Sequence, residues 1–267
     1  MRRHLILPLF ALVACAKPEP APQDIDGLMR WFFENHAALT EVEHHDAISS
    51  LEAAIDAAGG ESEKLDGSLN QLTEQQIAAV PVEGADPTSA FGLFLTRPVA
   101  CTMAQLEPIL YARDQNALYD AYKEYSREYT TDLEAYETRT APTLNWDISL
   151  TAANILFGEY SEDLRGGIRW LGTNQDGRPA VIQHTYMPWP ATFVNDKSRF
   201  DQDYQIEIFW QRDEAVHHAY GIWRDVHFNG VSTVEDDIVA RTILTALSDW
   251  DDITERWCAD GLPAEYR

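Results

Sequence analysis

The sequence holds three cysteines and four lysines, and beyond its first residues it has no long apolar run. Each scarcity excludes something. Three cysteines cannot build the dense disulfide framework of a small secreted scaffold. None of them stands in a Cys-x-x-Cys pair, which removes the usual redox and zinc-ribbon spacings. Four lysines beside sixteen arginines leave a formal charge of -24, so little is available to neutralise phosphates and no nucleic-acid partner is expected. No segment of the body offers the roughly 20 apolar residues that a membrane helix needs. Gly-x-Ser-x-Gly, His-Glu-x-x-His, P-loop and dinucleotide motifs are all missing. An enzyme assembled from distant residues stays possible. No motif announces one, so no catalytic residue, metal ligand set or cofactor is assigned.

What is present begins at the N-terminus. Arg2 and Arg3 precede an apolar run from Leu5 to Val13, too short to span a bilayer as a stable helix. The run ends in Leu12-Val13-Ala14-Cys15. This resembles the lipobox of bacterial lipoproteins; an ordinary signal peptide with a chance cysteine is the alternative. The resemblance implies cleavage before Cys15, acyl chains on Cys15, and attachment to the lipid bilayer of the cell envelope. Ala16 after the cysteine, in place of an aspartate, favours the outer membrane. Residues 1–14 are then the signal peptide. Residues 15–23, with Pro18, Pro20 and Pro22, form an extended tether of about 3.1 Å per residue.

The body divides into a mostly helical segment, 24–101, and an α+β main domain, 102–267. Ile25, Leu28, Met29, Phe32 and Phe33 recur at helical spacing, as do Ile48, Leu51 and Ile55 before Gly59-Gly60. His44 and His45 are expected on a solvated helical face. Thr102 and Gln105 fit a capping box opening a helix with Leu106, Ile109, Leu110 and Leu118 on its apolar side and Arg113-Asp114-Gln115 in water. About six antiparallel strands follow. Leu144, Trp146, Ile148 and Leu150 alternate with polar residues, and 164–173 with 179–187 flank the turn Asn174-Gln175-Asp176-Gly177. Strands are also expected at 131–139, 204–210 and 217–228. Ser232 and Glu235 fit a second capping box, and Val239, Ile243, Ala246, Trp250, Ile253 and Trp257 stripe a long last helix, with Asp249, Asp251 and Asp252 outside. From Met103 to Cys258 this order resembles the helix-grip layout of the START-type superfamily. That resemblance implies a sheet wrapped around the last helix over an apolar cavity.

With Cys15 acylated, Cys101 and Cys258 remain as a pair. In an oxidising compartment they read as a disulfide, two separate buried thiols being the alternative. Alternation puts His218, Tyr220, Ile222, Arg224 and Val226 on one face of the last strand. Ile182, His184 and Tyr186 share a face of an earlier one. The candidate ligand-binding set is therefore Arg224, His184, His218, Tyr186 and Tyr220, pointing into one interior. Arg224 needs either an internal carboxylate or a bound anionic head group, and the head group is the working expectation. Metal sites are not expected. His217, Asp225 and His227 are too spread along one strand, and Asn195-Asp196 with Asp201 and Asp203 lacks an EF-hand pattern. The resulting expectation is a non-enzymatic envelope lipoprotein that binds a hydrophobic small molecule or an envelope protein. The alternatives are an assembly lipoprotein with a filled core, and a hydrolase or isomerase using His184.

Overall fold

A computed structural model describes residues 20–60, 64–82, 85–154, 158–195, 198–228, 231–232, 237–263 and 266. Residues 1–19, which hold the expected signal peptide, Cys15 and the first part of the expected tether, lie outside the described residues, as do Asn229-Gly230 and Thr233 to Glu235 of the second expected capping box.

Helices α1 (Ile25–Asn35) and α2 (Glu41–Ala57) open the body. Asp24 caps α1 and a Thr40–Glu43 capping box starts α2, satisfying N–H groups that a helix leaves free at its start. Gly59, at φ +85, takes the left-handed turn that ends α2. Then come β1 (Leu65–Leu69), α3 (Glu74–Ile77) and β2 (Phe91–Val99), followed by α4 (Met103–Leu110) and α5 (Gln115–Leu118). Next are β3 (Tyr122–Tyr129), α6 (Leu133–Glu137), β4 (Thr143–Asn154), β5 (Gly158–Thr173), β6 (Pro179–Tyr186) and β7 (Thr192–Phe193). The chain continues with β8 (Ser198–Arg212), β9 (Ala215–Phe228), β10 (Val231–Ser232) and α7 (Asp237–Asp260).

The fold is α+β. One antiparallel sheet runs in the order β1-β2-β9-β8-β6-β5-β4-β3, with β7 beside β5 and β10 beside β9. It is larger than the six strands expected, because β1 and β2 come from the N-terminal segment and pair into it. The two strands of the segment 24–101 thus belong to the same sheet as those of 102–267. Alternate residues of the strands feed two cores. Tyr204, Ile206, Ile208 and Trp210 pack under α1 and α2 with Leu28, Phe32 and Leu51. Leu144, Trp146, Ile148 and Leu150 face α4 and α7 with Leu106, Ile109, Val239 and Ile243.

Three local expectations change. Residues 131–139 are not a strand: Asp132 accepts from the N–H groups of Glu134 and Ala135 and nucleates α6, while the strand lies earlier, at β3. The helix from Thr102 stops at Leu110. Gln115 is buried there, donating to the carbonyls of Ile109 and Ala112, and so satisfies the broken turn. His44 is fully buried beside Trp31 and Phe32, and His45 Nε2 lies 3.0 Å from the carbonyl of Leu171, so this helix face packs on the sheet.

The C-terminal part of α7 is fastened to the rest. Cys101 and Cys258 form a disulfide across a Cα–Cα distance of 5.5 Å. Arg97 of β2 donates to Asp252 at 2.6 Å and to Glu255 at 3.2 Å, and Gln105 donates to the carbonyl of Cys258. No described helix is long and apolar enough to cross a membrane.

Candidate functional site: a cavity under the last helix

Between the sheet and α7 lies a cavity of about 450 Å³. Its walls are aromatic and aliphatic: Tyr119, Tyr122, Tyr125 and Tyr160 at one side, Ile148, Leu150, Tyr220 and Ile222 on the sheet, Ile243, Ala246, Leu247, Trp250 and Ile253 on α7. Pockets of this size and character hold small organic ligands. The polar groups in the wall come from strand positions whose alternation suggests a solvated face. Gln183, Thr185, Gln205 and Glu207 all border the cavity, because the face opposite the α1 core is covered by α7.

Arg224 lies in this wall, as the alternation of β9 predicts. Its partner is not a vacancy for an anionic ligand. Asp203 stands directly opposite on β8, fully buried, and accepts from Arg224 Nε. Burial disfavours the guanidinium charge, but Asp203 and Glu162 more than offset it, and Arg224 is held charged above its ordinary range. The internal carboxylate is thus the arrangement adopted, and the expectation of a bound anionic head group on Arg224 is corrected. The guanidinium also lies 4.7 Å over the ring of Phe200.

Glu162 adds a second acid to this end. Burial pushes its carboxyl up to about 7, against the pull of Arg224. Its Oε2 has no hydrogen-bond partner, and neither has Gln183 Oε1. Gln183 Nε2 donates to Glu207 at 2.5 Å, so the amide's donor is used while its acceptor is left over. Two separate points of the cavity wall, one beside Arg224 and one beside Glu207, therefore each leave an acceptor unused.

His218 occupies the other polar position. Its ring stacks on Phe209 at 4.2 Å, its Nδ1 donates to Asp251 Oδ1 at 2.8 Å, and its Nε2 lies 3.3 Å from Glu207. Burial lowers the pKa of the imidazole, but Asp251 and Glu207 overcome that and raise it to about 9. Asp251, expected in solvent beside Asp249 and Asp252, is fully buried because its helix position meets His218.

Tyr220 also lines the cavity, but His184 and Tyr186 do not. His184 sits opposite Ile206, and Ile206 opposite Gly221. Opposed residues in a sheet share a face, so His184 faces α1, away from Arg224. Parity within one strand is legible from sequence; the offset between β6 and β9 depends on the register of β8 between them. His184 instead stacks on His36 at 3.8 Å and touches Phe33, and its Nε2 has no hydrogen-bond partner. Burial, then His36, pushes its pKa well down. With Tyr186 and Arg165 it borders a second hollow, of about 630 Å³, on that face.

The aspartates grouped in sequence as a loose loop also part. Asp203 pairs with Arg224, whereas Asp201 lies near Asp225 and His227.

No protein-family model matches this chain, and no curated protein matches it. Among solved structures it is similar to a START superfamily protein from Mycobacterium smegmatis, with a TM-score of 0.42 and 10% identity over 63% of this chain and 97% of that one. It is similar to a STAR-related lipid transfer protein from Xanthomonas axonopodis, at TM-score 0.41 and 13% identity over 65% and 89% of the two chains. It is also similar to human STARD10, at TM-score 0.42 and 8% identity over 79% and 80%.

Proposed function

We propose that this chain is an envelope lipoprotein, held by acyl chains on Cys15, whose body takes up a hydrophobic or amphiphilic small molecule between the sheet and α7. The observation that carries the reading is the cavity: about 450 Å³, with an aromatic and aliphatic wall interrupted by polar and charged side chains such as Arg127, Glu162, Glu207, His218 and Arg224. The unused acceptors Glu162 Oε2 and Gln183 Oε1, at separate points of the wall, favour a ligand that donates hydrogen bonds. The unfilled interior speaks against a purely structural body. The placement of His184, outside this cavity and with Nε2 unpartnered, gives the hydrolase reading no proton relay there.

Native mass spectrometry of protein purified from its own host tests the ligand. An adduct released by organic solvent is expected, and it should vanish in Ala246→Phe, which fills the cavity wall. Protein that carries no adduct and takes up no fluorescent long-chain amine or alcohol would remove the proposal. The anchor is tested separately with labelled palmitate: Cys15→Ser should abolish labelling and membrane attachment.

A further inference from the structure

We propose that Asp201, Asp225 and His227 form a binding site for a divalent metal ion of the zinc class, on the sheet face opposite the cavity. The bulge in β8 creates the grouping. Phe200 pairs with Val226 and Gln202 with Asp225, so Asp201 has no residue of its own opposite it. Bulges re-aim side chains in this way. Here the result brings Asp201 to two residues of β9 that are neighbours on one face.

The distances suit a metal. His227 Nε2 lies 3.1 Å from Asp225 Oδ1 and 3.3 Å from Asp201 Oδ2. All three donor atoms lie within 4.8 Å of one another, and no other such group of three occurs among the described residues. Tetrahedral zinc with bonds of about 2.0–2.1 Å spaces its ligands by roughly 3.4 Å. One imidazole and two carboxylates, without thiolate, form a borderline donor set that prefers zinc, nickel or manganese to calcium.

Asp225 supplies the independent evidence. It is 5% exposed, and its Oδ1, the oxygen aimed at the cluster, accepts no hydrogen bond. A buried carboxylate oxygen left without a donor is costly. Its other oxygen is held firmly: Ser89 Oγ donates to Oδ2 at 2.6 Å, and Gln202 Nε2 lies 3.4 Å from it. Gln202 is in turn fixed on Ser89 Oγ and the carbonyl of Asp86. One oxygen anchored by an outer shell, and the other facing only the imidazole nitrogen of His227 at 3.1 Å, is the usual state of a ligating carboxylate beside its co-ligand. Arg199 is the counterweight. Its Nε pairs with Asp201 Oδ2 at 2.7 Å, so an ion must displace it or use the other oxygen of Asp201. Arg199 is largely exposed, and that exchange leaves its charge in water. Asp201 and His227 are partly exposed, which leaves room for water as a fourth ligand.

The competing account is that a protonated His227 merely bridges two aspartates. Isothermal calorimetry separates the two. The full chain, untagged and stripped with chelator, is titrated with zinc chloride and, separately, with calcium chloride at pH 7.5. The proposal expects one zinc per chain, with calcium unable to displace it. His227→Gln should abolish saturable uptake. Ser89→Ala, which touches no ligand atom directly, should weaken it by about 10–100-fold. A zinc-dependent shift of the His227 ring resonances should accompany binding in the wild type. No one-to-one uptake by the wild type, or equal uptake by His227→Gln and Ser89→Ala, overturns the site.

Discussion

The two faces of the sheet are made from alternate residues of the same strands, yet they treat buried histidine in opposite ways. Under α1 and α2, no carboxylate acts on His44 or His184 among the described residues. Burial, helped by Arg169, pushes His44 down to about 4, and burial with His36 pushes His184 well down. Under α7, burial is overcome by Asp251 and Glu207, and His218 rises to about 9. Burial is comparable on the two sides; partners decide the sign. The α1 face keeps His44 and His184 neutral, and the α7 face keeps His218 charged between two carboxylates.

The comparison can be broken most forcefully at the clamp on the α7 side. Replacing Cys101 and Cys258 by serine together should cost about 5 kcal/mol in denaturant melts, from the entropy of a loop of 157 residues. Peptide mapping without reductant should recover the linked peptides first. Next comes Arg224→Met. It leaves the fully buried Asp203 beside Glu162 without their cation, and a loss of about 3–5 kcal/mol is expected. A loss under 1 kcal/mol would mean that the pair is not desolvated as the structure implies.

The histidines sharpen the contrast through pH. The folded pKa of His218, about 9, lies above its ordinary 6.5. Its contribution, on the order of 3 kcal/mol, is complete below pH 6.5 and fades as pH rises through 9. His218→Gln should flatten that alkaline decline. The folded pKa of His44 lies below 6.5, at about 4, so the sign reverses: stability is intact above 6.5 and falls as pH drops through 4. His44→Leu should change the melt least at neutral pH and remove part of the acid decline. Glu162, raised to about 7, opposes His44 between pH 4.5 and 7, so Glu162→Gln is the control for that window.

Much of this architecture was legible in the chain. Period-two alternation identified the buried faces of β4, β8 and β9, and the stripe from Val239 to Trp257 identified α7. The pairing of Cys101 with Cys258 followed from there being no other partner in the body. The site was legible in halves. Arg224, His218 and Tyr220 do line the cavity, because parity within β9 needs only its own sequence. His184 and Tyr186 lie on the other face, because relating β6 to β9 requires the register of β8, which no local pattern carries. The approach of Asp201 to His227 depends on one extra residue in β8, and a bulge leaves no mark in composition. Glu162 and Glu207 look like solvated strand positions; only the covering helix makes them interior.

The disulfide between Cys101 and Cys258 also makes the molecule a lasso. Every described wall of the cavity, from Leu110 to Ile253, lies within one covalent ring, while α1, α2, β1 and β2 form its tail. A protease that nicks any surface loop between residues 102 and 257 opens the ring but detaches no wall. A single cut in the tail, by contrast, severs every covalent link between the N-terminus and the cavity. The ring that carries the cavity would then be held to the N-terminal part by non-covalent contacts alone, the β2–β9 pairing and the core under α1 and α2.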